Sequence, residues 1–299
     1  MGIPLEVLML YALSSEACAA RHGLPGLELA HFVRELVVGE MERGHGPFHD
    51  QAVRLAHPVS GLRYLEFSHV KEALGRVFGG NGIRRRAVLD VSSPWQFPFW
   101  FALREHAFVT MTNPDAEDLE RSKRFVGRLG LERISFCDGG LEALVSSGAR
   151  YEIITSISVI EHAEDDLSLI EQMVVLLEGG GHLVLTFPVR PSYQEEYRPE
   201  RTYPTQQKID EQGWFFFQRF YDDERIDRLI GASGCVEVFR KYCWESREGW
   251  FDWYIREWRR RGISFVVNDA AMFSRSFEFA ADKPRDRGFG NCCLVLRKK

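Results

Sequence analysis

The segment ARYEIITSISVIEHAEDD (149–166), followed by LLEGGGHLVLTFP (176–188), carries the clearest structural signal in this chain of 299 residues. Each segment contains a short apolar run with β-branched residues, which is typical of a buried strand. Between the two runs, Leu167, Ile170 and Val174 recur at the spacing of one helix face. The pattern predicts two parallel strands joined by a helical crossover.

The same alternation continues on both sides of this pair. Further strands are predicted at AVLDV (87–91), AFVTMT (107–112), RISFC (133–137), VEVFRKYCW (236–244) and NCCLVLRK (291–298). A helix from Ala116 to Leu129 is expected between two of them, with Asp115 as its N-cap and Gly130 after its end. The chain is therefore predicted to be an α/β protein with a Rossmann-like, seven-stranded, mostly parallel sheet and flanking helices.

Three further segments lack the alternation of strands and helices that the predicted sheet shows. Residues 1–80 show helical periodicity and are predicted to form a helical N-terminal extension, whereas residues 81–299 form the α/β domain. An insertion at about 246–287 precedes the last strand and contains one amphipathic helix around Trp250–Arg261. Residues 189–220 are predicted to be a long irregular segment, which in a compact domain is usually functional.

The composition excludes several classes of function. A net charge of −5, from 38 basic and 43 acidic residues, argues against a nucleic-acid partner. No apolar stretch is long enough for a membrane span, and the N-terminal segment lacks the basic start of a signal peptide. The six cysteines do not repeat at metal-ligand spacing, so we expect reduced thiols, no metal site and a cytoplasmic protein.

These motifs resemble the class I S-adenosylmethionine-dependent methyltransferases. The resemblance covers about residues 84–245 and the last strand, and is most specific in 151–188, where a strand ending in small polar residues leads into a Glu-His pair. The lead-in RYLEFSHVKEAL (63–74) and the Ser-Pro turn after the first strand resemble a branch that acts in polysaccharide and cell-surface sugar pathways. The resemblance implies a small-molecule or saccharide methyltransferase that uses S-adenosylmethionine.

The resemblance also implies a set of cofactor-binding positions. Asp90 matches the acidic residue at the end of the first strand, Asn113 the position that usually grips the ribose, and Asp138 the residue that reaches the adenine. The full implied set is Asp90, Ser92, Ser93, Pro94, Asn113, Asp138, Gly139, Ser156, Ile157 and Ser158. The loop after the first strand has no glycine, although the family's loop is glycine-rich because its backbone turns tightly beside the cofactor.

The predicted catalytic residue is His162, because a neutral imidazole can accept a hydroxyl proton near pH 7. A role for His162 in capping the next helix or supporting the pocket wall stays open. The predicted acceptor-side residues are Tyr193, Tyr197, Tyr203 and Gln206. Aromatic clusters around Trp95, Trp214 and Trp250 could be core packing or an aromatic wall for a flat or sugar-like acceptor.

Two other functions compete with methyl transfer. Ser92, Pro94 and Asn113 depart from the usual cofactor pattern, which favours a catalytically inactive methyltransferase-like protein that binds partners or regulates them. Its interaction surfaces, or those of a homo-oligomer, are expected on the N-terminal helices or the insertion. A nicotinamide-dependent enzyme fits poorly, because no G-x-G-x-x-G follows the first strand.

Overall fold

The computed structural model describes residues 5–45, 48–203, 206–281 and 285–299. The chain divides into two compact units. The first contains residues 1–71 and 243–281, and the second contains residues 72–242 and 282–299. The sequence predicted a boundary near residue 80 and assigned the insertion to the α/β domain, whereas the structure groups most of the insertion with the N-terminal helices.

The second unit contains most of one large sheet. Its strands in the described residues are β1 (Ala87–Val91), β2 (Phe108–Thr112), β3 (Ile134–Cys137), β4 (Tyr151–Ile157), β5 (Leu177–Val189), β8 (Val236–Glu245) and β10 (Gly290–Arg297). The order is β3-β2-β1-β4-β5-β10-β8, with β9 (Phe277–Ala281) next to β8. Strands β1 to β5 pair in parallel, and β10 is antiparallel to β5. The predicted Rossmann-like, mostly parallel sheet is therefore confirmed, but it contains an eighth strand, β9, that the sequence did not predict.

Helices connect the parallel strands. They are α5 (Gln96–Leu103), α6 (Ala116–Leu129), α7 (Gly140–Ser147) and α8 (Asp166–Leu176), and a further helix, α9 (Asp223–Ser233), precedes β8. Because such crossovers are right-handed, α5 and α6 lie on one face of the sheet and α8 on the other. Asp115 caps α6 by accepting from the amides of Glu117 and Asp118, and Gly130 follows the helix with φ of 66°, as the sequence predicted.

Two predictions about the region after α8 were wrong. The helix ends at Leu176, and the three glycines expected to end it lie inside β5. Residues 189–220 are irregular only in part, because they contain the antiparallel strands β6 (Gln194–Arg198) and β7 (Phe215–Phe220). This hairpin follows the carboxyl end of β5.

The first unit is mainly helical. Its helices are α1 (Leu5–Arg21), α2 (Leu27–Glu42), α3 (Phe48–Ala56), most of α4 (Gly61–Phe78), α10 (Trp250–Arg261), α11 (Ile263–Val266) and α12 (Asp269–Ser276). Asp269 links the insertion to the N-terminal helices, since it accepts from the His57 ring at 3.0 Å, the Gly61 amide at 2.9 Å and the Tyr254 hydroxyl at 2.9 Å.

The remaining features of the fold concern thiols and membranes. None of the six cysteines, all of which lie in the part of the chain that the structure describes, forms a disulfide, and Cys292 and Cys293 on β10 are both fully buried. Among the described residues, no helix combines the length and apolar character needed to cross a membrane.

Candidate functional site

The site lies where the strand order reverses, between β1 and β4. All five strands are parallel, but β2 and β3 lie on one side of β1 in the sheet, and β4 and β5 lie on its other side. The connections that follow β1 and β4 therefore lead to opposite sides of the sheet. A crevice opens at such a point beyond the carboxyl ends of the strands, and ligands of open α/β sheets bind there. The implied cofactor residues follow β1, β2, β3 and β4 at this edge.

Asp90 organises the loop after β1. Its side chain is fully buried, with Oδ1 accepting from the Ser93 amide at 3.1 Å and Oδ2 accepting from the Thr155 hydroxyl of β4 at 2.7 Å. Burial raises the pKa of Asp90 to about 6, although the hydrogen bonds from Ser93 and Thr155 act in the opposite direction. A carboxyl group with such a displaced pKa in a crevice is typical of functional sites.

The loop makes its tight turn without a glycine. Ser92 has φ of 58°, in the left-handed region that favours glycine, and its amide donates to the Thr112 carbonyl of β2 at 2.9 Å. Ser93 Oγ accepts from the Ile157 amide of β4 at 2.9 Å, and the Pro94 carbonyl accepts from the Phe97 amide at 3.0 Å. The loop is therefore fixed to both neighbouring strands and to the start of α5.

The end of β4 contains the residues that were predicted to line the floor of the site. Ser156 and Ile157 are fully buried, and the Ser156 hydroxyl has no hydrogen-bond partner among the described residues. Ser158 has φ of 50°, and its amide donates to both the carbonyl and the hydroxyl of Thr186 at 3.0 Å. Because buried hydroxyls are usually hydrogen-bonded, the Ser156 oxygen is a candidate ligand contact.

Two of the expected cofactor contacts are engaged elsewhere. The Asn113 amide oxygen accepts from the Asp115 amide at 2.9 Å, which fixes the loop before α6. The Asp138 carboxylate is exposed and forms an ion pair with Lys123 of α6. Gly139 is also exposed, and a Cβ there would lie 2.4 Å from the Cβ of Ala143. Glycine at this position therefore serves the close packing of the turn on α7.

His162 lies in a short helical turn, Ile160–His162, directly after β4. Its Nδ1 donates to the Phe217 carbonyl of β7 at 2.8 Å, and its ring packs edge-on against Tyr203 and Phe217, each at 5.1 Å. When Nδ1 carries the proton, Nε2 has the lone pair. The hydrogen bond from Nδ1 orients the ring, and Nε2 lies 3.9 Å from Oε1 of the buried Glu161.

The predicted acceptor-side residues divide into two groups. Tyr193 and Tyr197 both donate to Glu195, each at 2.6 Å, and are therefore held together on the hairpin. The Tyr203 ring packs against the His162 ring. Gln206 is connected to Tyr203, because Gln206 Oε1 accepts from the Tyr203 amide at 2.9 Å. Only Tyr203 and Gln206 are thus linked to His162 by contacts among the described residues.

Glu195 holds together a group of polar residues on the hairpin that the sequence did not predict. Burial alone would raise the pKa of its carboxyl, but hydrogen bonds from Lys208, Tyr193 and Tyr197 outweigh it and lower the pKa to about 2. Lys208 donates to both oxygens of Glu195 at 2.8 and 2.7 Å. No spacing in the sequence reveals this group, because Lys208 reaches Glu195 only after the hairpin has formed.

The sequence also did not predict a buried cluster of charged residues that contacts the hairpin. Asp166, the first residue of α8, is fully buried and forms ion pairs with Arg219 of β7 and Arg225 of α9. The Tyr221 hydroxyl donates to the same carboxylate at 3.1 Å and to the Ile160 carbonyl at 3.3 Å. The cluster thereby connects the His162 turn to the hairpin and to α9.

The hairpin phenylalanines do not form an open aromatic wall. Each phenylalanine of β7 has a cation over its ring, and the pairs are Arg201–Phe215, Lys208–Phe216, Arg219–Phe216, Arg198–Phe217 and Arg190–Phe220. Cations over ring faces occupy the surface on which a sugar would stack. Trp95 also serves packing, because it contacts Phe99 of α5 and Phe125 of α6 at 5.5 and 5.4 Å.

Comparison with known proteins gives distant structural likeness only. No family model matches the chain, and no curated protein matches it. The [4+2]-cyclase SpnF is 13% identical, with a TM-score of 0.49 over 81% of this chain and 83% of that chain. Coclaurine N-methyltransferase, solved with N-methylheliamine and SAH, is 11% identical, with a TM-score of 0.48 over 99% and 100%. An S-adenosylmethionine-dependent methyltransferase from Mesorhizobium loti is 15% identical, with a TM-score of 0.45 over 78% and 100%.

Proposed function

We propose that this chain, which has the strand order of the class I S-adenosylmethionine-dependent methyltransferases, transfers a methyl group to a small-molecule or carbohydrate-like acceptor. The main support for the proposal is the set of hydrogen bonds that joins the loop after β1 to β4, where the strand order reverses. Asp90 and Ser93 tie the loop after β1 to β4, and β4 leads within five residues from Ile157 to His162. A short stretch of chain thus connects the proposed cofactor side with the proposed acceptor side.

Several groups at the switch point fit S-adenosylmethionine. The Asp90 carboxylate favours the cationic sulfonium and amino groups, and the buried Ser156 hydroxyl is an orphaned polar atom on the floor. When bound, the cofactor supplies an electrophilic methyl group. Residues Ser92, Ser93 and Pro94 would hold its methionine end, while Asn113, Asp138 and Gly139 would surround the adenosine.

His162 acts as the general base in this proposal. Its Nδ1–H bond to the Phe217 carbonyl orients the ring, and Nε2, which lies 3.9 Å from Glu161 Oε1, would take the proton from an acceptor hydroxyl. Gln206 is 2% exposed, and its Nε2 has no partner among the described residues, so this amide can donate to an acceptor oxygen. Alignment of donor and acceptor supplies most of the rate enhancement for such an in-line displacement.

Calorimetric titration with S-adenosylhomocysteine tests the proposal without knowledge of the acceptor. We expect one site per chain, and replacement of Ser156 by valine should weaken binding because it blocks the floor. Glu132→Arg, an exposed change away from the crevice, is the matched control. Absence of binding at millimolar ligand would refute the enzyme function.

A catalytically inactive, partner-binding protein is the second candidate. The observations that favour it are the Asn113–Asp115 hydrogen bond and the Asp138–Lys123 ion pair, since both engage expected adenosine contacts within the protein. A cytoplasmic location is part of either proposal, because none of the six described cysteines forms a disulfide. Failure of cofactor binding with a well-folded protein would favour this second function.

A further inference from the structure

The outer face of α1 is an apolar helix face with no partner among the described residues. Leu8, Ala12 and Ala19 are buried within the first unit, whereas Val7, Leu10 and Leu13 point outward. Leu10 is 66% exposed, more than any other large hydrophobic side chain that the structure describes. Exposed apolar residues that are contiguous on one helix usually mark an interaction surface.

The residues along this face can pair with the same face of a second, antiparallel copy of α1. At 3.6 residues per turn, Glu6, Leu10, Ala17 and Arg21 lie along one line of α1. If a second α1 lies antiparallel with Glu6 opposite Arg21, then Leu10 is opposite Ala17 in the same register. A two-fold axis near Leu13 repeats each of these pairs, as an isologous interface requires.

From this pattern, we propose that α1 is a homodimerisation surface and that its occupant is the α1 helix of a second copy of this chain. Leu10 fits over the small Ala17 of the second copy, which allows the helices to approach closely. Glu6 and Arg21 are both exposed and form opposite-charge pairs at the two ends of the contact. Size and charge are thus complementary in one register.

A lipid surface fits this face less well than a second copy does. Helices that lie on membranes are rich in lysine and arginine on the polar face, and α1 contains only Arg21 as a basic residue.

The contact between two copies of α1 is small, because a single pair of helices buries less than the ~800 Å² per partner of a standard interface. The proposal therefore implies a weak dimer that forms at micromolar or higher concentration.

Sedimentation equilibrium of the full chain with two charge variants tests the proposal. Glu6→Arg and Arg21→Glu each place like charges at both ends of the contact, and each should weaken dimerisation roughly tenfold. A mixture of the two variants restores both opposite-charge pairs and should recover the dimer as a heterodimer. Because each chain keeps its own fold in the mixture, recovery cannot come from improved folding.

Two controls accompany this test. Glu132→Arg makes the same charge change in the second unit and should leave the dimer unchanged, and circular dichroism should show equal helix content in each variant. A monomer at all concentrations overturns the proposal, and so does a dimer that neither variant weakens. Binding of the wild-type monomer to phosphatidylcholine–phosphatidylglycerol vesicles, lost in a Leu10→Ser variant, would assign the face to lipid instead.

Discussion

Replacement of Asp90 by asparagine should stabilise the protein at neutral pH. Asparagine has the shape of a protonated aspartate, so its oxygen can still accept from the Ser93 amide and its NH₂ group can donate to Thr155. The folded pKa of about 6 lies above the ordinary value of 3.8, so the folded protein holds this proton more tightly than the unfolded chain. The contribution of Asp90 to the free energy of unfolding is therefore most favourable below pH 4, and it is lost as the pH rises to 6.

The expected size follows from the difference between the two pKa values. At about 1.4 kcal/mol per unit, ionisation of the buried carboxyl costs about 3 kcal/mol above pH 6. Asp90→Asn removes this cost, so we expect the variant to be more stable than wild type by up to ~3 kcal/mol at pH 8 and nearly equal to it at pH 4. A stability cost at a ligand crevice is expected where function needs the charge.

Urea denaturation followed by tryptophan fluorescence, at several pH values between 4 and 8, measures this difference. The same variant should bind S-adenosylhomocysteine more weakly, so stability and binding change in opposite directions. Asp115→Asn is a matched control, because Asp115 is a helix N-cap and should show no such gain. A variant that is less stable than wild type at pH 8 would refute the argument that burial dominates at Asp90.

Three further substitutions test the roles proposed for other residues. His162→Ala should reduce methyl transfer by about 10²- to 10⁴-fold while the affinity for S-adenosylhomocysteine stays within twofold in calorimetry, and a large loss of affinity would instead indicate a wall-supporting role. Lys123→Ala should free the Asp138 carboxylate and tighten S-adenosylhomocysteine binding, and unchanged affinity would show that Asp138 does not contact the ligand. Ser92→Gly should raise the free energy of unfolding by about 1 kcal/mol, because glycine adopts a φ of 58° without strain, and a loss of stability in urea would contradict this.

The sheet was predictable from the sequence because its strands are short apolar runs bounded by charge, proline or glycine. The β1 run Ala87–Val91 was predicted with both boundaries correct, and α6 was predicted with its two caps. The hairpin β6–β7 was missed for a physical reason. Its strands are half-exposed and mix charged with aromatic residues, so neither strand shows the alternation of a half-buried strand.

The candidate site was predicted less completely than the fold. The fully buried position of Asp90 and the place of His162 after β4 follow from strand ends, which the sequence reveals. The partners of these residues do not follow from sequence position. Phe217 is 55 residues from His162, and Arg219 meets Asp166 only through the folded hairpin. Long-range contacts of this kind depend on tertiary packing, which local patterns do not encode.

A crystal structure with S-adenosylhomocysteine would show whether the carboxyl ends of β1 to β4 form the proposed cofactor site. We expect an ordered ligand with its amino acid end beside the loop of Ser92 and Ser93 and its thioether above Ser156. We also expect the Asp138 side chain to leave Lys123 and meet the adenine. A crevice without ligand density at millimolar S-adenosylhomocysteine, with the Asp138–Lys123 pair intact, would refute the proposed site.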